Sequence, residues 1–200
     1  MKTLIFDIET TSLDADTGIL LCFCGKEYGT KHKNAMVTFR ADSYPEWANG
    51  KRHVGKGIVR DVLDFVLGRD GDQDSSWDLV VAHNGLWFDR KMLATWAIKH
   101  RLWKRANAIS QLKIVDPMQL SKWKMRVRRN SLNALIDFLG VPYKKTPIKF
   151  EYWLSAALSG HTKSLDYIVD HCKADVLALE GVYDKVRCLV KEVNAKGSHY

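Results

Sequence analysis

The stretch "LIFDIETTSLD", residues 4–14, decides how this chain is read. It begins as an apolar run and ends on two acids, Asp7 and Glu9, two residues apart. In a strand the side chains alternate between faces, so Asp7 and Glu9 project from the side that also carries Ile5. Like charges held this close repel each other. A divalent cation between them removes the repulsion, because hard ions such as Mg²⁺ and Mn²⁺ prefer oxygen ligands. The alternative is that both acids merely solvate the exit of the strand. Other acids along the chain separate the two readings.

Two helical patterns supply them. After "VVAHNG", an advance of 100° per residue gathers Leu86, Leu93, Trp96 and Ala97 on one apolar stripe, and Asp89 falls inside it. In the last long helix Leu165, Ile168, Val169, Cys172, Val176, Leu179, Tyr183, Val186 and Val190 form the apolar side, with Asp175 among them. His171 sits at the border of that stripe, one turn earlier. Asp166, Asp170, Glu180 and Asp184 point away and read as solvent-facing charges. An unpaired buried carboxylate costs several kcal/mol, so acids on core-facing stripes require a base or a metal. Convergence of Asp7, Glu9, Asp89 and Asp175 meets that requirement. Their four formal negative charges would be neutralised by two divalent ions, an arrangement with ions roughly 3.5–4 Å apart that recurs in phosphoryl displacement.

Bulk properties point the same way. The 200 residues, 46% hydrophobic and 27% charged, suit one globular domain over residues 1–200. No apolar run has the roughly 18 residues of a membrane span, and the N-terminus lacks a signal-peptide layout, so a soluble cytoplasmic protein is expected. The four cysteines lack CxxC pairs and disulfide-scaffold density, which makes reduced thiols and no zinc site the expectation; Cys22 and Cys24 read as packing residues. A formal net charge of +8 favours a polyanionic partner, and nucleic acid is the leading one. Basic and aromatic residues interleave in "KHRLWKR" (99–105) and "KWKMRVRR" (122–129), as phosphate contact with base stacking requires. Each run taken singly is equally a solvated helix face.

Strands are expected near residues 2–8, in "ILLCFCGKEYG" and in "AMVTFR", then a helix over "GIVRDVLDFVLG" and a loop over "RDGDQDSS". "WDLVVAH" reads as a strand, "LWFDRKMLATWAIKH" as a helix and "QLKIVD" as a strand, followed by helices from near Pro117, Ser131, Phe150 and Ser164. This order predicts an α/β fold with a mixed sheet, antiparallel in its first three strands and parallel afterwards, flanked by helices.

These residues resemble the DEDD superfamily of 3′–5′ exonucleases, whose fold is the ribonuclease H-like sheet. "FDIETTSL" resembles its first motif, "HNGLWFD" its second and "HCKADVLAL" its third. "IVDPMQL" and "SLNALIDFLGVPYKK" resemble the intervening segments, so the likeness spans nearly the whole chain. The branches of this family differ in the third motif: Tyr with three residues before the Asp in one, His with four in the other. Here three residues separate His171 from Asp175, the spacing of the tyrosine branch with the residue of the histidine branch. The chain stands closest to the tyrosine branch, which includes the exonuclease domains of family B DNA polymerases, with His171 in the tyrosine's place.

The resemblance implies hydrolysis from the 3′ end of DNA, or of RNA, releasing nucleoside 5′-monophosphates, with single-stranded or frayed ends as substrate. It implies two Mg²⁺ or Mn²⁺ ions held by Asp7, Glu9, Asp89 and Asp175. His171, with an ordinary pKa near 6.5, would take the proton of the attacking water, or else is a border histidine satisfied by hydrogen bonds. Thr10 and Leu13 would meet the terminal nucleotide, although Leu13 fits core packing equally. Asn84 would contact the strand or hold the strand-to-helix corner. Trp87 and Phe88 would stack a base, with inward packing the alternative for Phe88. Asp116 precedes Pro117 as an N-cap and stays outside the site. Two rivals remain: a catalytically weak or inactive nucleic-acid-binding module of this fold, and an endonuclease of ribonuclease H type.

Overall fold

The computed structural model describes residues 1–30, 35–48, 55–70, 73–74, 77–143 and 147–190. Its centre is a five-stranded sheet built from β1 (Thr3–Thr10), β2 (Leu20–Glu27), β3 (Val37–Arg40), β6 (Leu79–Val81) and β7 (Ile114–Val115). The spatial order is β3-β2-β1-β6-β7. β1 pairs antiparallel with β2, and β2 with β3, whereas β6 lies parallel to β1 and β7 parallel to β6. The mixed sheet expected from the sequence is the sheet observed. Alternation along β1 feeds two cores. Phe6 stacks on Phe23 at 5.5 Å, and Phe23 meets Phe65 of α2 (Lys56–Val66) edge-on. On the opposite face, Asp7 lies across from Cys24 and Glu9 from Cys22, under the long helix α8 (Thr162–Val186).

The pairing register slips between Glu9 and Thr10. The extra residue is Leu21 on β2, and a bulge of this kind bends the strand that carries it, here opposite the end of β1 just after the two acids. A short α1 (Pro45–Ala48) precedes α2, and α3 (Asp89–Lys99), α4 (Trp103–Ser110), α5 (Pro117–Lys124), α6 (Leu132–Leu139) and α7 (Phe150–Ser159) complete the helices described. Leu86–Phe88, expected inside α3, form the turn before it.

Several expectations need correction. The "RDGDQDSS" segment contains a minimal antiparallel pair, β4 (Arg69–Asp70) with β5 (Gln73–Asp74); its residues 71–72 and 75–76 lie outside the described residues, as do Lys144 and Lys145 of the "VPYKK" segment. The "KHRLWKR" run is only partly free surface. It ends inside α4, where Arg105 donates from Nε and Nη2 to both oxygens of Asp64 at 2.6 and 2.8 Å. Nor do all the outward acids of α8 merely face solvent. Glu180 accepts from the buried Lys26 ammonium and, at 2.8 Å, from the Gly29 amide; Asp184 accepts from the Tyr28 hydroxyl at 2.6 Å; Asp166 pairs with Arg40 at 2.8 Å. These bonds fasten α8 to the β2–β3 edge. Val190, assigned to the helix stripe, lies beyond the helix end.

Candidate active site

β1, α3 and α8 bring the acids to the end of the sheet where β1 and β6 finish. Strand β6 leads into a tight corner, residues 82–88. Asn84 has φ of 60°, the left-handed region that asparagine tolerates better than most residues, and its carbonyl accepts from the Trp87 and Phe88 amides. Gly85 is required next to it, since a Cβ there would come within 2.4 Å of the Ala82 Cβ. Asp116, at the end of β7, grips this corner: one carboxylate accepts from the backbone amides of Asn84 (2.9 Å) and Leu86 (3.4 Å), while also capping α5 through Met118 (3.0 Å). Asn84 stands at this corner through its backbone.

Asp89 opens α3 from that corner and is 2% exposed. Its Oδ1 has no hydrogen-bond partner among the described residues. Burial, above all, raises its pKa from 3.8 to about 7, and the nearby Asp116 charge adds to the rise, against hydrogen bonds from its own amide and that of Ile8.

On the other flank, Glu9, His171 and Asp175 each offer one ligand atom, all within 4.8 Å of one another. His171 Nε2 stands 3.8 Å from Glu9 Oε1 and 3.8 Å from Asp175 Oδ2. His171 is more enclosed than a stripe-border residue, at 1% exposure. The reason is α7, which lays Trp153 over it edge to face at 5.4 Å. Trp153 also donates from Nε1 to Glu9 Oε2 at 3.2 Å, leaving Oε1 turned towards His171. Sequence reasoning did not single out Trp153; a tryptophan among the apolar residues of "FEYWLSAALS" looks like core. Asp7 is reached through Cys172, whose thiol lies 3.5 Å from its carbonyl and 3.6 Å from its Oδ2.

Cys22, Cys24 and Cys172 also converge, with sulfurs within 4.8 Å of one another. All three are fully buried, with Cys24 3.9 Å from the Val169 carbonyl and Cys172 beside the Asp7 carbonyl; hydrogen bonds with Cys172 and Cys22 lower the Cys24 pKa to about 4, while burial raises those of Cys22 and Cys172.

The remaining expected contacts are dispersed. Thr10 donates to the Ser12 carbonyl at 2.7 Å and so shapes the turn after β1. Leu13 is 80% exposed, which overturns its core-packing alternative. Trp87 is exposed beside Asp89, with the Lys91 ammonium 4.4 Å from its ring centre, whereas Phe88 packs against the core.

The donor set suits a hard divalent ion. It contains an unbonded buried carboxylate oxygen, two further acids grouped around an imidazole, and Asp7 on the same strand face as Glu9. Asp7, Glu9, Asp89 and Asp175 are the residues that would hold such ions.

Among solved structures, the chain is similar to the family B DNA polymerase from the hyperthermophilic archaeon Pyrobaculum calidifontis, with a TM-score of 0.65 and 17% identity. That similarity covers 94% of this chain and 24% of the polymerase chain, so this chain spans about a quarter of its neighbour's length. A search of curated proteins gives no match. The model of the RNase H superfamily matches residues 4–187, almost the whole chain, and the chain therefore belongs to that superfamily.

Proposed function

We propose that this chain is a single-domain, divalent-metal-dependent 3′–5′ exonuclease that releases nucleoside 5′-monophosphates from single-stranded or frayed ends. Nuclease-type hydrolysis is supported by the superfamily. One observation supports the finer reading: Glu9 of β1 and Asp175 of α8 group around His171, and Asp89, at the corner after β6, keeps a buried oxygen without a partner among the described residues. Bound there, two Mg²⁺ or Mn²⁺ ions supply the Lewis acidity that lowers the pKa of a water and offsets charge on the phosphoryl oxygens.

The chain's own residues do the rest. Asp7, Glu9, Asp89 and Asp175 hold the ions, with Glu9 oriented by Trp153. A water oxygen forms the new bond to phosphorus as the bond to the 3′ oxygen breaks. His171 Nε2 takes the water's proton, and the departing 3′ oxygen takes one from solvent. Trp87, exposed at the α3 corner, stacks a base near the end, and the turn held by Thr10 presents Leu13 to the terminal nucleotide.

Incubation of 5′-labelled DNA and RNA strands with Mg²⁺ or Mn²⁺, beside EDTA and Asp7→Ala controls, tests this reading. Ladder-like shortening from the 3′ end is expected only with metal and the intact acid. Internal fragments would instead make the chain an endonuclease, and binding without cleavage in every metal condition would leave only a binding module.

A further inference from the structure

The basic segment "KWKMRVRR" has a geometry that its composition does not reveal. Helix α5 ends at Lys124, and Met125 is extended, with φ of −121° and ψ of 159°. From there Met125 and Val127 turn inward and pack against the core, while Lys124, Arg126 and Arg128 are exposed. Burial alternates from the helix end at Lys124 to the bend at Arg128, so the three cations share the exposed side of this strap. The strap is tied at its base, where the buried Ser121 donates to Asn130 Oδ1 at 2.7 Å. Lys122 and Arg129 flank it, and Trp123 is 56% exposed at its start.

These five cations form no ion pair among the described residues, unlike Lys26, Arg40 and Arg105, each of which holds a carboxylate. The other basic run makes no such edge, because Arg105 is bound to Asp64 and Arg101 occupies a left-handed turn with φ of 58°. The strap is also linked to the acids. Asp116, which grips the corner leading into Asp89, caps helix α5, whose eight residues rise about 12 Å. That length equals three to four stacked nucleotides at about 3.4 Å each.

Resting on the exonuclease reading above, we propose that Lys124, Arg126 and Arg128, flanked by Lys122 and Arg129, are a phosphate track for the single strand whose 3′ end enters the carboxylate site. Cations at every second residue on one exposed side can meet successive phosphates of a single strand. Guanidinium groups bind phosphate oxygens in pairs, and Trp123 offers a stacking face that any base can use. A duplex keeps its bases stacked inside and cannot use that face. The track therefore grips sequence-independently and acts on strands long enough to reach it.

Salt dependence of binding tests this. A fluorescent single-stranded dodecamer is titrated with Asp7→Ala protein, which blocks cleavage, with and without the added triple change Lys124→Ala, Arg126→Ala and Arg128→Ala. The slope of log affinity against log salt should fall by about 2 in magnitude, at about 0.7 per lost phosphate contact. With the native acids, the same triple change should raise KM for the dodecamer and leave cleavage of a trinucleotide unaltered, with an unchanged Tm showing an intact fold. Lys99→Ala with Lys104→Ala, on the other run, should leave the slope as it was. An unchanged slope in the triple variant, equal losses on both lengths, or a duplex competing better than the single strand would overturn the track. If the slope falls but no strand is ever shortened, the exonuclease reading fails and the track stands; if strands are shortened and the slope is constant, the track alone fails.

Discussion

Asp89 is the residue where stability and proposed chemistry oppose each other most directly. Its carboxylate is buried, one oxygen has no partner, and its pKa is raised to about 7. A raised acid pKa means that the folded state binds the proton more tightly than the unfolded state. Stability from this group is therefore complete below pH 3.8 and is lost as pH rises towards about 7. In EDTA, denaturant unfolding should show Asp89→Asn more stable than the native chain at pH 7.5, with the difference shrinking at pH 5. Added Mg²⁺ should raise the native Tm at pH 7.5 and do less for the variant. His171→Ala should lower kcat by about 10²-fold. Unchanged turnover would return His171 to a packing role. The acids were legible in the sequence because charge breaks an apolar period. The enclosure of His171 was not, since it depends on Trp153 from a helix whose docking no local pattern encodes.

Helix α7 carries that dependence at the next scale. Trp153→Phe keeps a ring over His171 but removes the bond to Glu9 Oε2, so kcat should fall about tenfold, close to 1.4 kcal/mol, with KM and Tm near native. A matching loss in Tm would make Trp153 a packing residue only. Helix α8 is held to β2 by Lys26 and Glu180, whose side chains are 5% and 17% exposed. Glu180→Ala leaves the ammonium buried and unpaired, and denaturant titration should show a loss of about 3 kcal/mol. That bond was missed because Glu180 lies off the apolar stripe, and a helical wheel does not show which strand a polar face meets. Strands and long helices were legible from their periods. Helix α4 was not, because its first residues belong to the run "KHRLWKR", which reads as basic surface until Arg105 is seen to reach Asp64.

At the scale of the molecule, the antiparallel-then-parallel order followed from strands first and alternating strands and helices afterwards, and the sheet β3-β2-β1-β6-β7 bears it out. That order sets the sheet end from which β1 and the β6–α3 corner both emerge, and α8 crosses the same face. Glu9 of β1 thereby meets His171 and Asp175 of α8, about 160 residues later in the chain. No described helix is long and apolar enough to cross a membrane. The net charge of +8 surrounds a locally acidic centre, so a polyanion is attracted overall and repelled at the centre until cations are present. The central claim is hydrolysis at the 3′ end with the phosphate leaving on the released nucleotide. A strand labelled only on its 3′-terminal nucleotide, incubated with Mg²⁺, tests it most directly: the label should emerge from the first turnover as a nucleoside 5′-monophosphate, and its release as a nucleoside 3′-monophosphate or within a longer fragment would contradict the account.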